Sequence, residues 1–217
     1  MSPVIDCTTE EGLAHGIAEA AEAVRRGELV VLPTDTVYGV GADAFNMEAV
    51  AAVLAAKGRG REMPPPVLVP SSRTVDGLAT NVPAYARDLI EAFWPGPLTL
   101  VLHAQSSLMW DLGDTNGTVA VRMPQDDTAL KLLADVGPMA VTSANVSGQP
   151  PALTILDAAS QLGSAVSIYL DAGRSVGGLA STILDCTGEA PVMLRGGAVS
   201  VSQIQEILGD IELSITP

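Results

Sequence analysis

Aromatic side chains make up only 3% of this chain, which carries two cysteines, two histidines and eleven basic residues against twenty-five acidic ones. Each scarcity excludes something. With so few rings, the core has to be built from Ala, Val, Leu and Ile, the usual makeup of helices packed on a parallel or mixed sheet. Cys7 and Cys186 are far apart and form no C-x-x-C pair, so neither a disulfide framework nor a zinc site has support. His15 and His103 are isolated, which is no metal-ligand pattern. The net charge of −14 disfavours a nonspecific nucleic-acid or anionic-membrane binder, because both depend on many Lys and Arg contacts. No basic segment followed by an apolar one opens the chain, and no run approaches the ~20 apolar residues of a membrane span. These absences predict a reduced, cytoplasmic protein without membrane association.

What is present is a chain of 217 residues, 47% hydrophobic, long enough to bury roughly 70% of its unfolded surface as one domain. Leu13, Ile17, Ala20 and Val24 recur at helical spacing, and Arg25-Arg26-Gly27 supplies terminal cations and a glycine stop, which predicts a helix over 10–26. A strand is expected over 28–33. Asn46 is placed to cap a helix carrying Val50, Val53 and Leu54, Pro83 to begin one with Leu89 and Phe93, and Asp126 to cap one with Leu130 and Leu133. Strands are expected over 67–69, 98–102, 118–122, 139–142, 166–170, 181–184 and 192–194, and a Ser200-x-x-Gln203 capping box opens the last helix. Helices and strands alternate without a long polar linker, which predicts one α/β domain over 1–217 with its core at about 10–208: a twisted mixed sheet with flanking helices.

Neither a G-x-x-x-x-G-K-[ST] nor a strand-linked G-x-G-x-x-G motif occurs. Gly173-Arg174-Ser175-Val176-Gly177 matches G-x-S-x-G, but both histidines precede the serine and no helix follows, so it does not read as a hydrolase elbow. The informative stretch is Leu29-Val30-Val31-Leu32-Pro33-Thr34-Asp35-Thr36-Val37-Tyr38-Gly39, an apolar strand that runs into hydroxyls and then glycine. Pro33 cannot donate to a sheet ladder, so Thr34, Asp35 and Thr36 stand at the strand's carboxyl end, where open α/β sheets bind ligands. Lys57-Gly58-Arg59 offers paired cations suited to phosphate oxygens. Thr118, Ala120 and Arg122 share one side of a strand, and Arg122 can fork onto a carboxylate. Thr142-Ser143-Ala144-Asn145-Val146-Ser147-Gly148 is a second hydroxyl-rich turn, and Ser181-Thr182-Ile183 with Leu194-Arg195-Gly196-Gly197 adds a further hydroxyl and a guanidinium.

Together with Trp94-Pro95-Gly96-Pro97-Leu98-Thr99-Leu100 and Val121-Arg122-x-Pro124, these segments resemble the YrdC/TsaC-type threonylcarbamoyl-AMP synthases in their short, single-domain form. The resemblance implies a YrdC-like fold with a large concave, positively charged cavity. It also implies an enzyme, a nucleotidyltransferase that joins L-threonine, bicarbonate or CO2, and ATP into threonylcarbamoyl-adenylate and pyrophosphate. A tRNA threonylcarbamoyl transferase complex would then take the product to an adenosine of tRNA, with no stable tRNA binding by the synthase itself. By the same resemblance Thr36, Arg122, Ser143 and Ser181 would hold threonine, and Lys57, Arg59, Thr118, Asn145 and Arg195 would hold ATP. Lys57 and Arg59 would neutralise charge during catalysis, and Mg²⁺ would arrive with ATP, with no protein side chain as metal ligand. The chain departs from the family at Leu68, where a histidine is usual, and Arg61 either adds phosphate affinity or is solvated. An RNA-binding module of the same fold without synthase activity is the alternative, as is a carbamoyl-transfer domain of the hydrogenase-maturation type, which occurs in longer chains.

Overall fold

The helix caps read from sequence organise the chain. The side-chain oxygens of Asn46 and Asp126 accept from Ala49 N at 3.0 Å and Ala129 N at 2.9 Å, and Ser200 and Gln203 close a reciprocal box. Arg26 caps the first helix and Gly27 leaves it at φ +77°, a left-handed turn that favours glycine. The computed structural model describes residues 2–175 and 177–216.

Along the chain the elements are β1 (Val4–Asp6), α1 (Glu10–Arg25), β2 (Val30–Leu32), β3 (Gly39–Asp43), α2 (Met47–Ala56), β4 (Val67–Leu68), α3 (Val75–Leu78), α4 (Ala84–Phe93), β5 (Leu98–His103), β6 (Thr118–Arg122), α5 (Asp127–Val136), β7 (Met139–Ser143), α6 (Ile155–Leu162), β8 (Ile168–Asp171), β9 (Thr182–Asp185), β10 (Val192–Arg195), α7 (Val201–Leu208) and β11 (Ser214–Ile215). The strands form one mixed sheet in the order β1-β8-β2-β3-β7-β4-β6-β5-β9-β10-β11. Pairing is antiparallel along β2-β3-β7-β4 and parallel between β4 and β6 and between β5 and β9. The expected α/β sheet with flanking helices is therefore the observed one.

The period of two along β2 divides the core. Val30 and Leu32 face α1 and α5 with Leu68, Met139 and Leu170, whereas Val31 faces α2 and α6 with Val40, Val53 and Tyr169. A third cluster packs α4 and α7 on Leu98, Leu100, Val121 and Leu184. The chain's paucity of rings is met by dense Ala and Val packing, with Ala20, Ala21 and Ala23 of α1 wholly buried.

Five elements went unpredicted: β1, β3, α3, α6 and β11. Of these, β3 matters most, because Gly39 and Gly41 belong to a strand and not to a turn. A Cβ on either would lie 2.6 or 2.5 Å from a Val141 methyl on β7, so the glycines make room for that valine. Glycine is poor strand material on propensity alone, and the cross-strand packing overrides it.

Candidate active site

Arg122 ends β6 and is buried. Its Nε donates to Gly96 O at 3.0 Å, Nη1 to Thr36 Oγ1 at 3.1 Å and Nη2 to Asp35 Oδ1, which also accepts from Gln125 N at 2.9 Å. Burial pulls the guanidinium's pKa down, and Asp35 opposes that shift. Asp35 Oδ2 is buried without a partner. A guanidinium has five N–H donors, so Nη1 and Nη2 each retain one. The hydroxyl proton of Thr34 goes to Val37 O at 2.6 Å, which makes Thr36 the donor in the 3.0 Å contact between the two threonine hydroxyls. Thr36 Oγ1 thus gives to Thr34, receives from Arg122 and keeps one acceptor position.

The bulge in β10 between Met193 and Arg195 turns Arg195 onto the residue that precedes β9. Arg195 Nε and Nη2 donate to Ser181 O at 3.1 and 2.7 Å, and Nη2 reaches Ser181 Oγ at 3.0 Å. Ser181 Oγ lies 2.9 Å from Thr99 Oγ1 of β5. The pKa of Arg195 is lowered by burial first, then by the like charges of Arg122 and Arg59, so Arg195 feels both other guanidiniums.

At the end of α2, Arg59 donates from Nε to Ser147 Oγ at 2.9 Å and from Nη1 to Thr142 Oγ1 at 3.2 Å, which ties it to β7 and the turn that follows. Lys57 behaves differently from its neighbour. Its side chain is 0% exposed, and Nζ donates to Ser143 O, to Asn145 O at 2.6 Å and to Ser143 Oγ at 3.4 Å. Burial, followed by the Arg59 charge, lowers its pKa to about 8. All three ammonium protons are directed at the 143–145 turn, so Lys57 buttresses that turn from behind rather than pointing at a ligand. Asn145 Nδ2 donates to Val146 O at 3.0 Å and Gln149 O at 2.9 Å, leaving Oδ1 buried and unpartnered.

These groups line one cavity of about 700 Å³. Thr36, Arg59, Arg122, Ser143, Asn145, Ser181 and Arg195 all contribute to its wall. Thr118 does not: it begins β6 at the opposite end from Arg122, and its hydroxyl donates to Thr115 O at 2.7 Å. Lys57 is likewise absent from the lining. Leu68 forms apolar wall beside Pro66, Val141 and Ile183. Arg61 points away from the cavity, onto Asp111 through paired 2.9 Å contacts and Asp114 at 3.3 Å. Thr99 and Asp35 stand in segments singled out in the sequence, but neither was given a role in the site. Thr99 carried one signal, a lone hydroxyl between the buried Leu98 and Leu100; nothing in the sequence tied Asp35 to Arg122.

Among known proteins, the family model of Sua5, yciO and yrdC proteins, described as "Telomere recombination", matches residues 22–197. Over 215 residues the chain is 55% identical to a Mycobacterium leprae protein provisionally named threonylcarbamoyl-AMP synthase, covering 99% of this chain and 98% of that one. A crystal structure of Pyrococcus abyssi Sua5 complexed with L-threonine matches with a TM-score of 0.91 at 36% identity. That match covers 100% of this chain and 63% of the other, so the chain spans less than two thirds of that protein's length. E. coli YciO shares the fold at a TM-score of 0.84 and 23% identity, over 94% of this chain and 100% of that one.

Proposed function

The chain belongs to the Sua5/YciO/YrdC family, and on that premise we propose that its cavity makes L-threonylcarbamoyladenylate from L-threonine, bicarbonate or CO2, and ATP. One observation carries the reading: the guanidiniums of Arg59, Arg122 and Arg195 share a single cavity with the hydroxyls of Thr36, Ser143 and Ser181. Glu62 on the lining and Asp35, paired with Arg122 behind the wall, offset part of their charge. Such a site wants several anionic groups at once, and an amino-acid carboxylate beside a triphosphate supplies them.

The free Nη1 and Nη2 protons of Arg122 take the threonine carboxylate, with Thr36, Ser143 and Ser181 around the rest of the amino acid. Arg59 and Arg195 take phosphate oxygens, and Asn145 Oδ1 accepts from the nucleotide. The threonine amine joins CO2 to give the N-carboxylate, whose oxygen attacks the α-phosphorus in line while the bond to pyrophosphate breaks. The contribution of the residues is position and fixed positive charge where the leaving pyrophosphate gathers negative charge. Lys57 acts through the 143–145 turn it holds. ATP enters as its magnesium complex. The lining supplies one carboxylate, Glu62, and the described residues hold no group of three metal-ligating side chains, a donor set that fits a cation carried on the phosphates.

The product is destined for a transferase complex that modifies tRNA, in the cytoplasm. Among the described residues no helix is long and apolar enough to cross a membrane. The RNA-binding alternative would need its cations on the surface, whereas three of the eleven face the cavity and the net charge is −14. The test is pyrophosphate release by the purified protein given ATP, bicarbonate and single amino acids. Release should require both threonine and bicarbonate and be largely lost in Arg122→Ala and Lys57→Ala. Release indifferent to threonine would overturn the assignment.

A further inference from the structure

The G-x-S-x-G segment, set aside as a hydrolase elbow, has no part in the chemistry above. Its Val176 lies outside the described residues, but its neighbours bear directly on the turn that carries Thr36. Ser175 Oγ donates to Thr36 O at 2.8 Å and Gly178 N donates to the same oxygen at 2.9 Å, so both lone pairs of that carbonyl are used. Gly177 sits so close that a Cβ there would lie 2.1 Å from Asp35 O and 2.9 Å from Thr36 Cα. Only a glycine lets these two stretches of backbone meet at that distance.

The contact is anchored at both ends. Upstream, the buried Tyr38 donates its phenolic proton to Gly173 O at 2.6 Å and accepts from Ala172 N at 3.1 Å, while Ser175 N donates to Leu153 O at 2.8 Å. Downstream, Ala198 N donates to Ala180 O at 3.0 Å, and Gly197 lies where a Cβ would be 2.4 Å from Ala180 O and 2.5 Å from the Ser181 carbonyl carbon. The same stretch therefore reaches Thr36 at one end and Ser181 at the other, and both line the cavity. Ser175 itself does not line it, and its proton is committed to Thr36 O, so it is no nucleophile.

We propose that Ser175 is a positioning residue for the amino-acid substrate, and that Gly177 is the close approach that makes its contact possible. Together they fix the backbone of Thr36, so that the one acceptor position left on its hydroxyl points where threonine binds. The inference rests on the reading of Thr36 as a threonine contact.

The experiment is steady-state pyrophosphate release by wild type, Ser175→Ala, Ser175→Thr and Gly177→Ala, with threonine and ATP varied in turn, alongside melting temperatures. Ser175→Ala is expected to raise KM for threonine roughly fivefold, the effect of one neutral hydrogen bond, and to leave KM for ATP within about twofold. Ser175→Thr, which keeps the hydroxyl, restores the threonine KM. Gly177→Ala acts in the same direction more strongly; if it fails to fold, Ser175→Ala, which adds no atoms, carries the test. Equal changes in the two KM values, or a lower melting temperature with the threonine KM unmoved, overturn the positioning role. A wild-type rate indifferent to threonine overturns the underlying reading and this inference with it, so the wild type alone tells the two failures apart.

Discussion

Arg122 and Asp35 form the most deeply buried ion pair among the described residues, their side chains 8% and 12% exposed, whereas every other pair is formed by side chains at least 37% exposed. The pair joins the end of β6 to the turn after β2. It holds the guanidinium charged in a place where desolvation works against the charge.

Removing one member of such a pair leaves the other buried and uncompensated. Arg122→Ala is expected to cost about 3 kcal/mol of stability in urea denaturation, and Asp35→Ala in the same background should recover part of that loss. A double variant less stable than Arg122→Ala would show that Asp35 has partners of its own worth more than the pair.

Lys57 has lost half its charge at about pH 8. As pH rises through that value the amine gives up a donor to the 143–145 turn and the cavity loses positive charge beside Arg59, so KM for ATP is expected to climb. In Lys57→Met this inflection should vanish from the pH profile. The stability effect has the opposite sign: the folded pKa lies below the ordinary 10.5, so the cost of burying the charge is relieved between about 8 and 10.5. Wild type should therefore gain on Lys57→Met in unfolding free energy across that window.

Asn145→Ala strands the carbonyls of Val146 and Gln149 and removes the unpartnered acceptor, with an expected loss of about 1–2 kcal/mol. Asn145→Asp keeps the shape but sets a negative charge beside the proposed site of the anionic nucleotide. ATP affinity measured by calorimetry should fall roughly tenfold or more.

Gly41→Ala brings a Cβ to 2.5 Å from Val141 Cγ2 and 2.8 Å from Ala140 O. An overpacking cost of about 1–3 kcal/mol is expected in thermal unfolding. Val141→Ala should relieve the clash with the methyl but not the one with the backbone oxygen, so rescue is partial.

Arg61→Ala breaks contacts to Asp111 and Asp114 that are open to solvent. Its stability cost should stay below about 1 kcal/mol, with KM for ATP unchanged within about twofold. A large rise in that KM would return Arg61 to the phosphates.

Local signals made much of this legible. Asn46, Asp126 and Ser200 are caps because their short polar side chains satisfy amides three residues on, a relation written within four consecutive letters. The hydroxyls and cations at strand ends were visible for the same reason, and Thr36, Arg59, Arg122, Ser143, Asn145, Ser181 and Arg195 do meet around one cavity. The direction of a side chain was not legible. Lys57 and Arg59 sit two letters apart in one motif, yet one turns inward to backbone carbonyls and the other faces the cavity. Nor was the partnership of Asp35 with Arg122, which spans 87 positions and exists only once the sheet has brought β6 beside the turn after β2. The strand β3 stayed hidden because its glycines are explained by a valine a hundred residues away.

On the proposed reading, the guanidiniums of Arg59 and Arg195 that take the triphosphate would also face what is left after reaction, since pyrophosphate presents the same oxygens. A cavity in which Arg122 and Arg59 lower the proton affinity of Arg195 gains by holding any polyanion. If the proposed reaction takes place in this cavity, turnover would be tied to how fast pyrophosphate leaves, and an enzyme that removes pyrophosphate from solution would set the pace and the direction of the reaction as firmly as the supply of threonine.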